Sequence, residues 1–206
     1  PFWLSTSSEG SFSFEVDNNE VPYLFISDPL NNDKVALKKF DGTAWVDLGG
    51  TAVSNNSAIP LAMTVGSDNL PFVIYREGST VKASQYNGSS WVSIPTSDLE
   101  GLYSSAVVKM DMNNIPHVLY NGFLKKFNGS GWDEVGITGF SSTGMSICFN
   151  SLNQPYIVVG NSIRKFNGVS WEMLPSLASV YNNLTLSIDA DDNLFAAYTT
   201  TGLLTK

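Results

Sequence analysis

Phe127-Asn128-Gly129-Ser130-Gly131-Trp132 is the stretch from which the fold can be read. An aromatic residue precedes Asn-Gly, two small residues follow, and a tryptophan resumes the chain. Asn-Gly suits a tight hairpin turn, because its residues accept the positive φ that such turns demand. The same order stands at Phe40-Asp41-Gly42-Thr43-Ala44-Trp45, Tyr86-Asn87-Gly88-Ser89-Ser90-Trp91 and Phe166-Asn167-Gly168-Val169-Ser170-Trp171. Trp3 falls in step, and the five tryptophans lie 42, 46, 41 and 39 residues apart. One hairpin type returning at a nearly fixed interval is the mark of a repeat protein.

A second landmark runs at the same period. Pro22-Tyr23, Pro71-Phe72, Pro116-His117 and Pro155-Tyr156 share a place, and Leu194-Phe195 takes the fifth. Each is preceded by an alternating apolar row: Phe12, Phe14, Val16; Leu61, Met63, Val65; Ala106, Val108, Met110; Met145, Ile147, Phe149; Leu184, Leu186, Ile188. Period two predicts a strand with one buried face, so these rows are expected to point inward. Turns rich in Asp and Asn follow, such as Asp17-Asn18-Asn19 and Asp111-Met112-Asn113-Asn114, and these side chains bond nearby backbone. Two more strands and the tryptophan strand complete each unit. Four short antiparallel strands per unit, five units and no helical period predict an all-β chain with one five-bladed β-propeller domain spanning 1–206. The blades fall at 11–48, 58–94, 104–135, 143–174 and 183–206, with residues 2–5 expected to supply the missing fourth strand of the last.

The repeat resembles the blades of Kelch-like secreted bacterial propellers, in which an outer-strand aromatic is followed across a turn by tryptophan. Blade number and size are similar to those of the five-bladed tachylectin-like lectins. This sequence lacks the Gly-Gly pair of true Kelch repeats. The resemblance spans nearly the whole chain and implies fold rather than activity. It implies an extracellular or bacterial cell-surface protein.

Composition narrows the functional classes. The 206 residues carry 11 Lys+Arg against 19 Asp+Glu, for a net charge of −8. No basic cluster exists to neutralise phosphates, so nucleic acid is not an expected partner. One Cys and one His exclude a disulfide framework and a Cys/His zinc site. No apolar run approaches the ~18 residues of a membrane span. A monomer without cofactor or metal is expected.

The side chains with reactive chemistry fall in repeat slots. His117 stands where other units have Tyr or Phe, which predicts a packed aromatic substitute rather than a base. Cys148 lies within a strand and is expected to pack. Asp189, Asp191 and Asn193 alternate like the start of a calcium loop, but the glycine and glutamate such a loop requires are absent. Lys39, Lys126 and Lys165 recur before the third-strand aromatic and predict a solvated row. No catalytic residue is assigned. Glu15, Asp17, Asp111 and Asp189 are the carboxylates from which a glycoside-processing enzyme, the alternative function, would draw its pair.

The leading expectation is a non-catalytic binding or scaffold propeller with a glycan or protein ligand. The Asp/Asn turns and the Asn-Gly turns lie on one face and hardly vary. The B–C loops and the links between blades lie on the other and diverge, and divergent loops on a rigid scaffold carry function. The ligand is therefore expected on that second face or in the central channel. Tyr103, Phe140 and Tyr181, with Asp28, Arg76, Asp98 and Glu100, are the candidate binding residues.

Overall fold

The computed structural model describes residues 12–103, 105–136, 145–159, 162–175, 182–200 and 203–205. They form antiparallel meanders, with one 3₁₀ turn at Pro29–Asn31. The chain divides into two compact units: Pro1–Ser105 with Gly129–Gly131, and Ala106–Asn128 with Trp132–Lys206.

The first unit holds two four-stranded sheets. One comprises β1 (Ser13–Val16), β2 (Pro22–Asp28), β3 (Lys34–Phe40) and β4 (Trp45–Asp47). The other comprises β5 (Ala58–Val65), β6 (Pro71–Glu77), β7 (Thr80–Tyr86) and β8 (Trp91–Ile94). Each strand pairs with the next in sequence. Tyr23, Phe25, Val35 and Leu37 of the first sheet pack on Ala58, Met63, Val73 and Tyr75 of the second, all buried.

The second unit repeats the scheme. Its first sheet has β9 (Val107–Met110), β10 (Pro116–Tyr120), β11 (Phe123–Phe127) and β12 (Trp132–Glu134). The next has β13 (Met145–Phe149), β14 (Pro155–Val159), β15 (Ser162–Phe166) and β16 (Trp171–Met173). The last has three strands, β17 (Asn182–Ile188), β18 (Leu194–Thr200) and β19 (Leu203–Thr205). Leu119 and Leu124 meet Ile147 and Ile157, and Val158 and Ile163 meet Leu184 and Leu186.

These contacts correct the expected direction of the apolar rows. Met63 packs on the sheet before its own, as do Ile147 and Leu186. The rows are therefore packing surfaces between sheets. In the first unit no sheet precedes β1–β4, so Phe12, Phe14 and Val16 are exposed, by 66%, 54% and 47%. Glu15 points the other way, and its carboxylate accepts from the Val65 amide at 2.9 Å. The slot after proline faces the following sheet: Tyr23 lies against the second sheet, and His117 lies 4.7 Å from the Phe149 ring. Phe195, in the last sheet, is exposed.

The two turn types explain their sequences. Asp17 Oδ1 accepts from Asn19 and Val21, and Asp111, Asn150 and Asp189 repeat this pair of bonds on their own turns. Each turn then places one residue at positive φ, near 60°: Glu20, Asn69, Asn114, Asn153 or Asp192. The turns are also stitched across repeats. Met112 donates to Asn153 Oδ1 at 2.7 Å, and Ser151 donates to Asp192 Oδ1 at 2.7 Å.

In the Asn-Gly turn, Asn87 Oδ1 accepts from Ser89 and Ser90, and Asn167 Oδ1 accepts from Val169 and Ser170. The flanking rings pair at 5.2–5.5 Å between centroids in all four turns. Trp91 Nε1 donates to the Leu48 carbonyl and Trp171 Nε1 to that of Val135, each reaching the preceding sheet. Trp91 and Trp171 are thus inter-sheet anchors, and Trp132 is buried.

Candidate functional site

The B–C loops and inter-blade links carry the candidate residues, and the structure separates their roles. Asp28 ends β2 and caps the 3₁₀ turn by accepting from Leu30 at 3.0 Å. Its other oxygen lies 3.2 Å from Lys38 Nζ, which also donates to Asp47 at 2.7 Å. Burial opposes the charge on Lys38, but the two carboxylates outweigh it and raise its pKa above the ordinary lysine value. Asp28 is committed to this cluster.

Arg76 stands near the end of β6, in register with Ile59 of β5 and Val81 of β7. Its Nε is buried and meets no hydrogen-bond partner. Its neighbour Glu77 pairs with Lys82 and accepts from the Asn56 amide at 2.6 Å. Chiefly through the Lys82 contact, the Glu77 carboxyl is held below the usual range.

The link after β8 is pinned by its apolar residues. Leu99 and Leu102 are buried, and Thr96 Oγ1 donates to the Val81 carbonyl at 2.9 Å. Asp98 turns its carboxylate onto Gly131, where an added Cβ would come within 2.4 Å of Oδ2. Asp98 thus lies against an Asn-Gly turn. Glu100 is exposed. Tyr103 is 61% exposed beside the buried Leu102. Phe140 and Tyr181 lie outside the described residues.

A cleft of about 570 Å³ opens instead at the turn side of β2 and β3, lined among others by Glu20, Pro22, Lys39, Phe40, Asp41 and Gly42. A smaller one, about 330 Å³, lies at the corresponding place beside Leu70, Gln85, Tyr86 and Asn87. Sequence reasoning passed over both because their turns look uniform. One departure marked the first: Glu20 replaces the Asn or Asp of the other turns while keeping φ at 62°.

The chemically active side chains are occupied structurally. His117 is buried, its Nδ1 donates to the Ile115 carbonyl at 3.1 Å, and burial holds its pKa down at about 4. Burial likewise pushes the Cys148 thiol up to about 11, so it is not a nucleophile near neutral pH. Asp189 Oδ2 accepts from Asn193 Nδ2 within its own turn. Among the described residues no group of three His, Cys, Asp or Glu could hold a metal ion. The lysine row is not simply solvated. Lys39 lies over the Tyr23 ring at 5.8 Å, Lys165 over Tyr156 at 5.5 Å, and Lys126 lies 3.7 Å from Asp111.

No protein-family model and no curated sequence matches the chain. Solved structures do. SapL1 lectin, in complex with alpha methyl fucoside, is similar with a TM-score of 0.63 and 12% identity, over 96% of this chain and 75% of that one. A catalytically inactive His-to-Ala variant of virginiamycin B lyase from Staphylococcus aureus gives 0.62 and 13%, over 96% and 73%. A lectin from Aleuria aurantia, bound to a fucose–GlcNAc disaccharide, gives 0.61 and 14%, over 92% and 71%. At such identities the likeness shows the fold alone, and that fold is of propeller type. No described helix is long and apolar enough to cross a membrane.

Proposed function

We propose that this chain is a non-catalytic binding propeller that takes a glycan on its B–C and link face. The observation that carries the reading is Tyr103, a large aromatic side chain left 61% exposed on a link anchored by buried Leu99 and Leu102. An exposed ring on a fixed support can stack on a sugar face, and Glu100, three residues away in sequence, supplies hydroxyl acceptors. Lectins bound to fucosides are among the structural neighbours, which supports a glycan ligand. The glycoside-processing alternative would draw its pair from Glu15, Asp17, Asp111 and Asp189, of which Glu15 accepts from the Val65 amide and the three aspartates bond their own turns. The test is a glycan array with the purified chain, followed by calorimetry on the best ligand. Tyr103→Ala is expected to weaken binding at least about tenfold, an aromatic contact's usual scale. Ser89→Ala, in an Asn-Gly turn, should leave it unchanged. The reverse result would place the ligand on the turn face.

The finer architecture belongs to the same reading: five blades of Kelch-like type, the last completed by residues 2–5, in a monomer outside the cell or at its surface. Closure protects strand edges. Deleting residues 1–6 should therefore lower the melting temperature by more than about 5 °C, beyond the effect of trimming a loose end. An unchanged melting temperature would refute closure.

A further inference from the structure

Arg76 breaks the repeat in a way that the blade does not require. Its slot, five residues after the second-strand proline or its substitute, holds Ser27, Asn121, Gly160 and Thr199 in the other units. Four small residues and one arginine mean that strand geometry asks for no long cation there. Nor does packing repay it within the chain. The Nε–H is buried without an acceptor, and among the described residues the guanidinium forms no ion pair. Leaving a buried donor unsatisfied is destabilising, more so on a charged group. The nearest acid in sequence, Glu77, is engaged by Lys82 and the Asn56 amide. The side chain is nonetheless only partly buried, so a ligand can approach it.

From this we infer that Arg76 is the anchor of a carboxylate-binding subsite, and that the glycan ligand is acidic, of the uronic or sialic acid kind. The planar guanidinium fork matches a carboxylate through two parallel N–H···O bonds, which here come from the Nη groups of the half-buried side chain, since the Nε–H itself is covered. The net charge of −8 selects a single negative charge over a polyanion, because each further charge meets the repulsion of the whole chain. Ile59 beside it, 42% exposed, offers an apolar surface for a sugar ring. The inference rests on the binding reading above and narrows its ligand class.

Two measurements separate the claims. The first follows the Arg76 Nε–H resonance by NMR while acetate is added, with chloride at equal ionic strength as reference. Acetate should shift it; no shift of Arg76 overturns the subsite whatever glycans bind. The second compares methyl glucuronide with methyl glucoside by calorimetry. The acid should bind at least about tenfold tighter, and Arg76→Met should abolish that difference. Equal affinities, or an unaltered preference in Arg76→Met, overturn the inference while leaving a neutral-glycan lectin standing. If acetate shifts Arg76 but no sugar binds, the anion subsite stands and the glycan reading falls. Arg76→Met should also keep or raise the melting temperature of the free protein, as removal of an unsatisfied donor predicts. A lowered one would assign Arg76 a structural role instead.

Discussion

Gly49→Ala and Gly136→Ala should each destabilise the protein by about 2–5 kcal/mol in chemical denaturation, from backbone strain plus overpacking. Both glycines stand at positive φ, 72° and 66°, which an alanine adopts at a cost. Both also lie under the next repeat's aromatic pair. A Cβ on Gly49 would meet Tyr86 and Trp91 at 2.7 Å, and one on Gly136 would meet Phe166 at 2.7 Å and Trp171 at 2.8 Å. The indoles cannot withdraw, because each donates to the carbonyl just before the glycine. Gly88→Ala is the control. It has positive φ but nothing within 4 Å of its Cβ, so backbone strain alone should register, at about 1–2 kcal/mol. Equal losses at all three positions would show that the close approach is immaterial.

The second large effect is a pH dependence. Burial holds His117 neutral and lowers its pKa from 6.5 to about 4, with Asp111 and Lys126 acting in opposite directions on the imidazolium. A depressed folded-state pKa means that the unfolded chain takes up the proton first. The stabilisation is therefore complete above pH ~6.5 and is lost as pH falls towards ~4, a total of about 3 kcal/mol. His117→Phe, which restores the residue type of its repeat slot, should flatten that decline and be the more stable protein at pH 5. Denaturant titrations of both proteins from pH 7 to 4 would show it. Parallel curves would mean that carboxylates alone govern acid unfolding.

Much of this architecture was legible because the repeat states each element four or five times. The Asn-Gly pairs located the outer hairpins, and Trp91 and Trp171 after them reach the neighbouring sheet. The direction of the apolar rows was not legible. Alternation shows that Phe14 and Glu15 face opposite ways, but not which face another sheet covers. The special character of Gly49 and Gly136 was hidden similarly, since the rings that require them lie one repeat downstream. The candidate site was the least readable part. Loop divergence singled out Arg76, Asp98 and Tyr103 alike, but only coordinates distinguish an unsatisfied guanidinium, a carboxylate folded onto a glycine and an exposed ring.

The stitched turns bear on how such a chain can grow. The bonds from Met112 to Asn153 and from Ser151 to Asp192 each span 41 residues, one repeat. The turn at Asn150–Asn153 thus presents a donor to its successor and an acceptor to its predecessor. A gene segment of one period, duplicated or lost anywhere between Asp111 and Asp192, would bring matching halves back together at the seam. Nearest-neighbour coupling of this kind makes stability roughly additive in repeats. The number of repeats can then drift by unequal recombination while each intermediate still folds, so the turn asparagines and aspartates act as couplings that keep that history open.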